Sequence, residues 1–268
     1  MIASAEAFPA TISSWSDLTK LVEHFSYYNG HDWLFRGVTS VKHGLVPKIG
    51  RPEARKLKKV QGSSERKHVP YRPEDERAVL NMFRQQARAH LQSVPRSGLE
   101  WLAIAQHFGL PTRLLDWTDS LLVAAWFAVE KGGAKEVDSA IWVTKGVQTV
   151  SLDKPGDPFT YPDPAVYRPP HISPRIAAQG SVLMICPSPT QEVAPPFSAK
   201  VVIKRKVEFT LKKRLNACGI NRRHLFPDLA GLTEHLAWMY KNDWLMGYRL
   251  RPGTEAAIAD DTTDEAVE

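Results

Sequence analysis

Residues 101–128 constrain this chain more than any other stretch, because two apolar helical segments flank a run of polar side chains that a core rejects unless each is paired. His107, Thr112, Arg113, Asp116 and Trp117 fall within eleven positions around a Gly-Leu-Pro turn. The second flanking segment, residues 120–130, is apolar on nearly every side and so belongs at the centre of a fold. Thr118 or Asp119 is its expected N-cap. The polar run must close on itself, on a ligand or on distant partners, and the best distant partner is Arg36, in Trp33-Leu34-Phe35-Arg36-Gly37.

The periodicity around this centre predicts an α+β domain: a single mixed sheet with surrounding helices. Ser14-Trp15-Ser16-Asp17 has the spacing of a capping box and leads into a helix that Asn29-Gly30 would stop. Residues 32–38 read as a short strand, 74–91 as the clearest helix, 100–108 as a shorter one and 112–117 as extended. Residues 140–143 and 181–185 read as buried strands and 201–211 as a longer one. Phe226-Pro227-Asp228 opens a last helix, expected to bury Leu229, Leu232, Leu236 and Met239. The proline-rich residues 155–174 read as an irregular ordered loop.

With 268 residues, 43% of them hydrophobic, the chain can bury one sizeable core. The boundaries read as a helical lead-in over 1–30, one domain over 31–250 and a disordered acidic tail over 251–268. No apolar run approaches the roughly 20 residues needed to cross a bilayer. The N-terminus lacks the basic and apolar segments of an export signal, and the only cysteines, Cys186 and Cys218, have no CxxC partner. A cytoplasmic protein without membrane contact is the expectation. Charge is uneven: residues 42–88 hold thirteen Lys/Arg against five Asp/Glu, a balance of +8, within a chain of net +6. Such a region can meet a polyanion, although residues 51–67, without periodicity or interleaved aromatics, also read as a solvated loop.

Several chemistries are excluded by their missing motifs. There is no GxxxxGK[ST] loop, GxSxG elbow or HExxH, and no two of the nine histidines stand three or four apart, so no metal is expected. What the residues do carry is a resemblance. Leu34-Phe35-Arg36-Gly37 with Leu45-Val46-Pro47-Lys48-Ile49 is followed by His107-Phe108-Gly109-Leu110-Pro111-Thr112-Arg113-Leu114-Leu115-Asp116-Trp117-Thr118. Arg175-Ile176 with Gln179-Gly180, then Gly219-Ile220 with Leu225-Phe226-Pro227-Asp228-Leu229, complete the set. In this order, over residues 30–235, the blocks resemble the FRG domain family, whose proteins resemble accessory, toxin or phage-defence modules of bacteria and phages.

If the extended segments pair, these blocks converge on one cleft. Arg36 and Arg113 would suit a diphosphate, since a planar guanidinium fork matches phosphate oxygens. Gly37 and Gly180 would admit a ligand close to the backbone, and Trp117, His107 or Tyr167 would stack a ring. The layout is similar to that of ADP-ribosyltransferases. That resemblance implies NAD as substrate, with Arg36 gripping it, residues 112–117 as the middle element and Gln179 as the late polar residue. The expected catalytic set is therefore Arg36, Asp116 and Gln179, and the expected binding set Arg36, Gly37, His107, Thr112, Arg113, Trp117 and Gly180. No glutamate stands between Arg175 and Gly180, where such an enzyme would carry one. Two other readings stay open: a non-catalytic module that binds a nucleotide, a nucleic acid or a protein, and a polar cluster in which Arg36 and Asp116 merely staple the fold.

Overall fold

A computed structural model describes residues 8–27, 32–61, 64–131, 136–153, 155–170, 174–242 and 244. They fall into two compact units, residues 1–221 and 222–268. In chain order the first holds β1 (Thr11–Ile12), α1 (Trp15–Tyr27), β2 (Leu34–Val38), β3 (Leu57–Lys59), β4 (Arg66–His68), α2 (Pro73–Gln86), α3 (Gly98–His107), β5 (Leu114–Thr118) and α4 (Leu121–Val129). It continues with β6 (Ser139–Lys145), β7 (Gln148–Thr149), β8 (Ala165–Tyr167), α5 (Pro174–Ala178), β9 (Ser181–Ile185), β10 (Phe197–Ile203) and α6 (Arg205–Ala217). The second unit holds α7 (Arg222–Leu225) and α8 (Leu229–Lys241). The architecture is α+β, built on an eight-stranded sheet of order β1-β10-β6-β2-β5-β9-β8-β7. The sheet is mixed: β1 runs parallel to β10 and β7 to β8, while the remaining neighbours are antiparallel. Among the described residues no helix is long and apolar enough to cross a membrane.

Strand alternation sorts the core onto two faces. Leu114, Leu183 and Ile185 pack with Leu80 of α2 and with Leu99, Trp101 and Leu102 of α3. Leu34, Leu115, Trp117, Val182 and Met184 form the other face, with Leu45 and Cys186. The centre of the first face is set by α4, which lies against β2 so closely that a Cβ on Gly37 would stand 2.0 Å from the Ala124 carbonyl oxygen. Any side chain there would push the helix off the sheet.

Local caps explain several boundaries and correct others. The Ser14 hydroxyl accepts from the Asp17 amide, and Asp17 reaches back to the Ser13 amide. The cap of α4 is Ser120, which accepts from the Val123 amide, and not Thr118 or Asp119; Thr118 instead donates to the Gln179 carbonyl. The helix expected over 74–91 tightens after Gln86 into a 3-10 turn over Ala87–His90. The strand expected over 201–211 spans Phe197–Ile203, after which α6 begins, because Leu211 and Leu215 repeat at helical spacing. The proline-rich loop contains β8, whose three residues are all buried in the sheet, and the solvated loop contains the β3–β4 hairpin. Asp228 caps α8 as expected, but that helix buries Gly231 and His235, while Leu229 and Leu236 are exposed. The stop at Asn29-Gly30 and the tail over 251–268 lie outside the described residues.

Candidate active site

Residues 35–37 and 116–118, with Ser181 and Leu183, form the floor of a cleft of about 280 Å³ on the first sheet face. Asp116, Thr118, Ser181 and Leu183 face it from β5 and β9, paired in register as Asp116 with Leu183 and Thr118 with Ser181. Ala103, Gln106 and His107 supply one wall from α3, Phe127 supplies another from α4, and Arg175, Ile176 and Gln179 close a third. These last come from a helical turn rather than an extended segment, with Arg175 and Gln179 four positions apart on one side. The expected catalytic trio of Arg36, Asp116 and Gln179 thus shares one cleft.

Arg36 reaches it through a parting of the sheet. The β2–β5 ladder holds one registered pair, Phe35 opposite Thr118, whereas β2 pairs with β6 along all five of its residues. Beyond that pair the Arg36 guanidinium substitutes for the ladder, its Nη1 donating to the Asp116 carbonyl oxygen at 2.5 Å. The same nitrogen stands 3.9 Å from Asp116 Oδ2, with the arginine side chain 14% and the aspartate 70% exposed. Burial pushes the Arg36 guanidinium below its ordinary pKa, a shift the Asp116 carboxylate opposes. Its Nε is buried without a hydrogen-bond partner.

Asp116 is held from a second side by a residue that sequence patterning missed. Gln106 Nε2 donates to Asp116 Oδ1 at 2.5 Å, and Thr112 Oγ1 donates to Gln106 Oε1. Thr112 therefore lies outside the cleft and acts on it through Gln106. The signal was present in the sequence, since Gln106 shares the last turn of α3 with His107, but an amide on a mostly apolar helix announces no chemistry.

Other expected site residues are placed elsewhere. Arg113 turns away from Asp116, since an odd spacing in extended chain puts two side chains on opposite faces. It is 3% exposed and pairs with Glu76, its Nη2 standing 2.8 Å from Glu76 Oε2. Nη2 also donates to the Tyr71 hydroxyl at 3.1 Å, and the guanidinium lies 4.3 Å from the Phe159 ring centroid. No diphosphate grip by Arg36 with Arg113 is built. Trp117 borders the cleft, but its side chain belongs to the opposite core, and Tyr167 is buried in β8, so neither offers a free ring face. Gly37 admits α4, as described above. Gly180 has φ +51°, and a Cβ there would stand 2.4 Å from Asp119 Oδ1, so its role is to turn the chain into β9. Of the aromatic candidates, His107 alone remains on the cleft wall.

The class defined by this fold is an α+β domain with a cleft across a parted mixed sheet. The model of the FRG domain family matches residues 31–136 of the chain. The matched segment runs from β2 through α4 and holds Arg36, Gln106 and Asp116; Arg175 and Gln179 lie beyond it, so the match is shorter than the 30–235 span of the motifs. No curated protein and no solved structure matches the chain.

Proposed function

We propose that the cleft cleaves the bond between ribose and nicotinamide of NAD, passing the ribosyl group to water or to a macromolecule in the manner of ADP-ribosyltransferases. The observation that carries this reading is the Asp116 carboxylate: open to the cleft, yet fixed by Gln106 and beside the buried Arg36. It supplies the negative charge that the segment between Arg175 and Gly180 lacks. As the C1′–N bond breaks, its electron pair goes to the positively charged nicotinamide nitrogen, and the cation left on the ribose is stabilised by a fixed carboxylate. A nucleophile then bonds to C1′ and releases its proton. Arg36 and Arg175 are the donors for phosphate oxygens.

Size sets the pose. Ligand pockets are typically about 300–1,000 Å³, so a cleft of about 280 Å³ takes the nicotinamide-ribose end and leaves the adenosine outside. Incubation of wild-type, Asp116→Asn and Arg36→Gln proteins with NAD tests the reading by nicotinamide release. Release by the wild type and a loss of about 10²-fold or more in Asp116→Asn, the scale for removing one fixed electrostatic contact, supports it. Release that is absent from all three, or equal in all three, overturns it.

A further inference from the structure

The strongest charge feature of the molecule lies away from the cleft, on the β3–β4 hairpin. Residues 51–72 carry eight Lys/Arg and two Asp/Glu, a balance of +6 that equals the net charge of the whole chain. The two strands form a sheet of their own, antiparallel, with Leu57 opposite His68, Lys58 opposite Lys67 and Lys59 opposite Arg66. The Val60 amide bonds to the Glu65 carbonyl at one end of the ribbon and the Val69 amide to the Lys56 carbonyl at the other. All the lysine and arginine side chains on these strands are exposed.

Its folding energetics do not account for this arrangement. Like charges directly opposite one another destabilise a strand pair, and a lone two-stranded ribbon is marginal in water. Here two successive registers are cation opposite cation, and because side chains alternate, each face of the ribbon carries one such pair. The carboxylate that accompanies them, Glu65, stands 3.5 Å from Lys67 Nζ, and both side chains are more than half exposed. A polyanion that brings phosphates to both faces removes the repulsion.

We infer that the ribbon docks on double-stranded DNA through the phosphate backbone, independently of the chemistry in the cleft. Single strands are bound by stacking their bases on aromatic side chains, and the six strand residues include no Phe, Tyr or Trp. A two-stranded ribbon fits the major groove of B-form DNA, about 12 Å wide, whereas the major groove of duplex RNA is deep and narrow. An anionic bilayer rewards apolar insertion as well as charge, and the ribbon offers it Leu57 as its one large apolar side chain.

The test is fluorescence anisotropy of the full chain with a labelled mixed-sequence DNA duplex, titrated across salt. Four neutralised phosphates give a slope of log K against log salt of about −3.6. In Lys58→Ala/Lys67→Ala the slope becomes shallower by about 2, and affinity at 50 mM salt falls on the order of 10²-fold, the counterion release of two phosphates. Lys58→Glu converts a like-charge pair into an opposite one, so it loses DNA affinity while its Tm stays level or rises. Absence of wild-type binding overturns the inference. So does undiminished binding by either variant, or equally tight binding to duplex RNA or phosphatidylserine vesicles.

Discussion

Two arginine–carboxylate pairs sit at opposite ends of a few residues of chain, and they are built for different work. Arg113 and Glu76 are 3% and 2% exposed, joined through two nitrogens, with the Tyr71 hydroxyl closing the remaining valence. Arg36 and Asp116 are 3.9 Å apart, the arginine spending its best hydrogen bond on a backbone carbonyl and leaving the carboxylate open. The first pair is saturated and has nothing to offer a ligand. The second keeps an exposed charge in a fixed place, as the proposed cleavage requires.

Breaking the saturated pair is expected to have the largest effect on stability. Glu76→Ala strands the Arg113 charge in the interior and should lower the unfolding free energy by about 3–5 kcal/mol, read in urea melts. Glu76→Leu with Arg113→Met, which removes both charges, should recover most of that loss; a double variant no better than the single one would show that the pair itself is indispensable. Next comes Arg36→Gln, which withdraws the bond to the Asp116 carbonyl and should cost about 1–3 kcal/mol together with nicotinamide release.

A third carboxylate gives a scale between these extremes. Asp138 accepts the Arg205 amide at the start of α6 and stands 2.9 Å from Lys204 Nζ, and those hydrogen bonds hold its pKa below the ordinary 3.8. A lowered native pKa means its contribution is complete above that value and fades as pH falls through the native one. Asp138→Asn should therefore lose about 1 kcal/mol at neutral pH, the scale for a helix cap, and converge with wild type in strong acid; a gap that persists there would contradict the assignment. The smallest stability change belongs to Asp116→Asn, less than about 1 kcal/mol because the carboxylate is 70% exposed and 3.9 Å from its arginine, although the same variant should lose the most activity.

The two pairs also mark what sequence patterning could reach. The strands bearing Arg36 and Asp116 were legible from short apolar runs, and a polar run between apolar helices announced that something had to close around it. The assignment of Arg113 to the same cleft ignored the alternation within residues 113–116, which sends Arg113 and Asp116 to opposite faces. Its partner was hidden because Glu76, in the first turn of a helix, has a sufficient local explanation in the helix dipole. Gln106 depends on how α3 meets the sheet, which no local period encodes. At 201–211 a run of β-branched residues masked the switch in period at Lys204.

Behind the second sheet face, Cys186 is wholly buried, and burial pushes its thiol up to about 12, while Cys218 is exposed. Because the thiolate is the species that alkylates, the molecule carries a slow and a fast sulfur in one chain. Iodoacetamide labelling followed by mass spectrometry then reads Cys218 as a calibration of reagent and Cys186 as a count of how often the central strands come open, a built-in clock on the breathing of the sheet that needs no engineered probe.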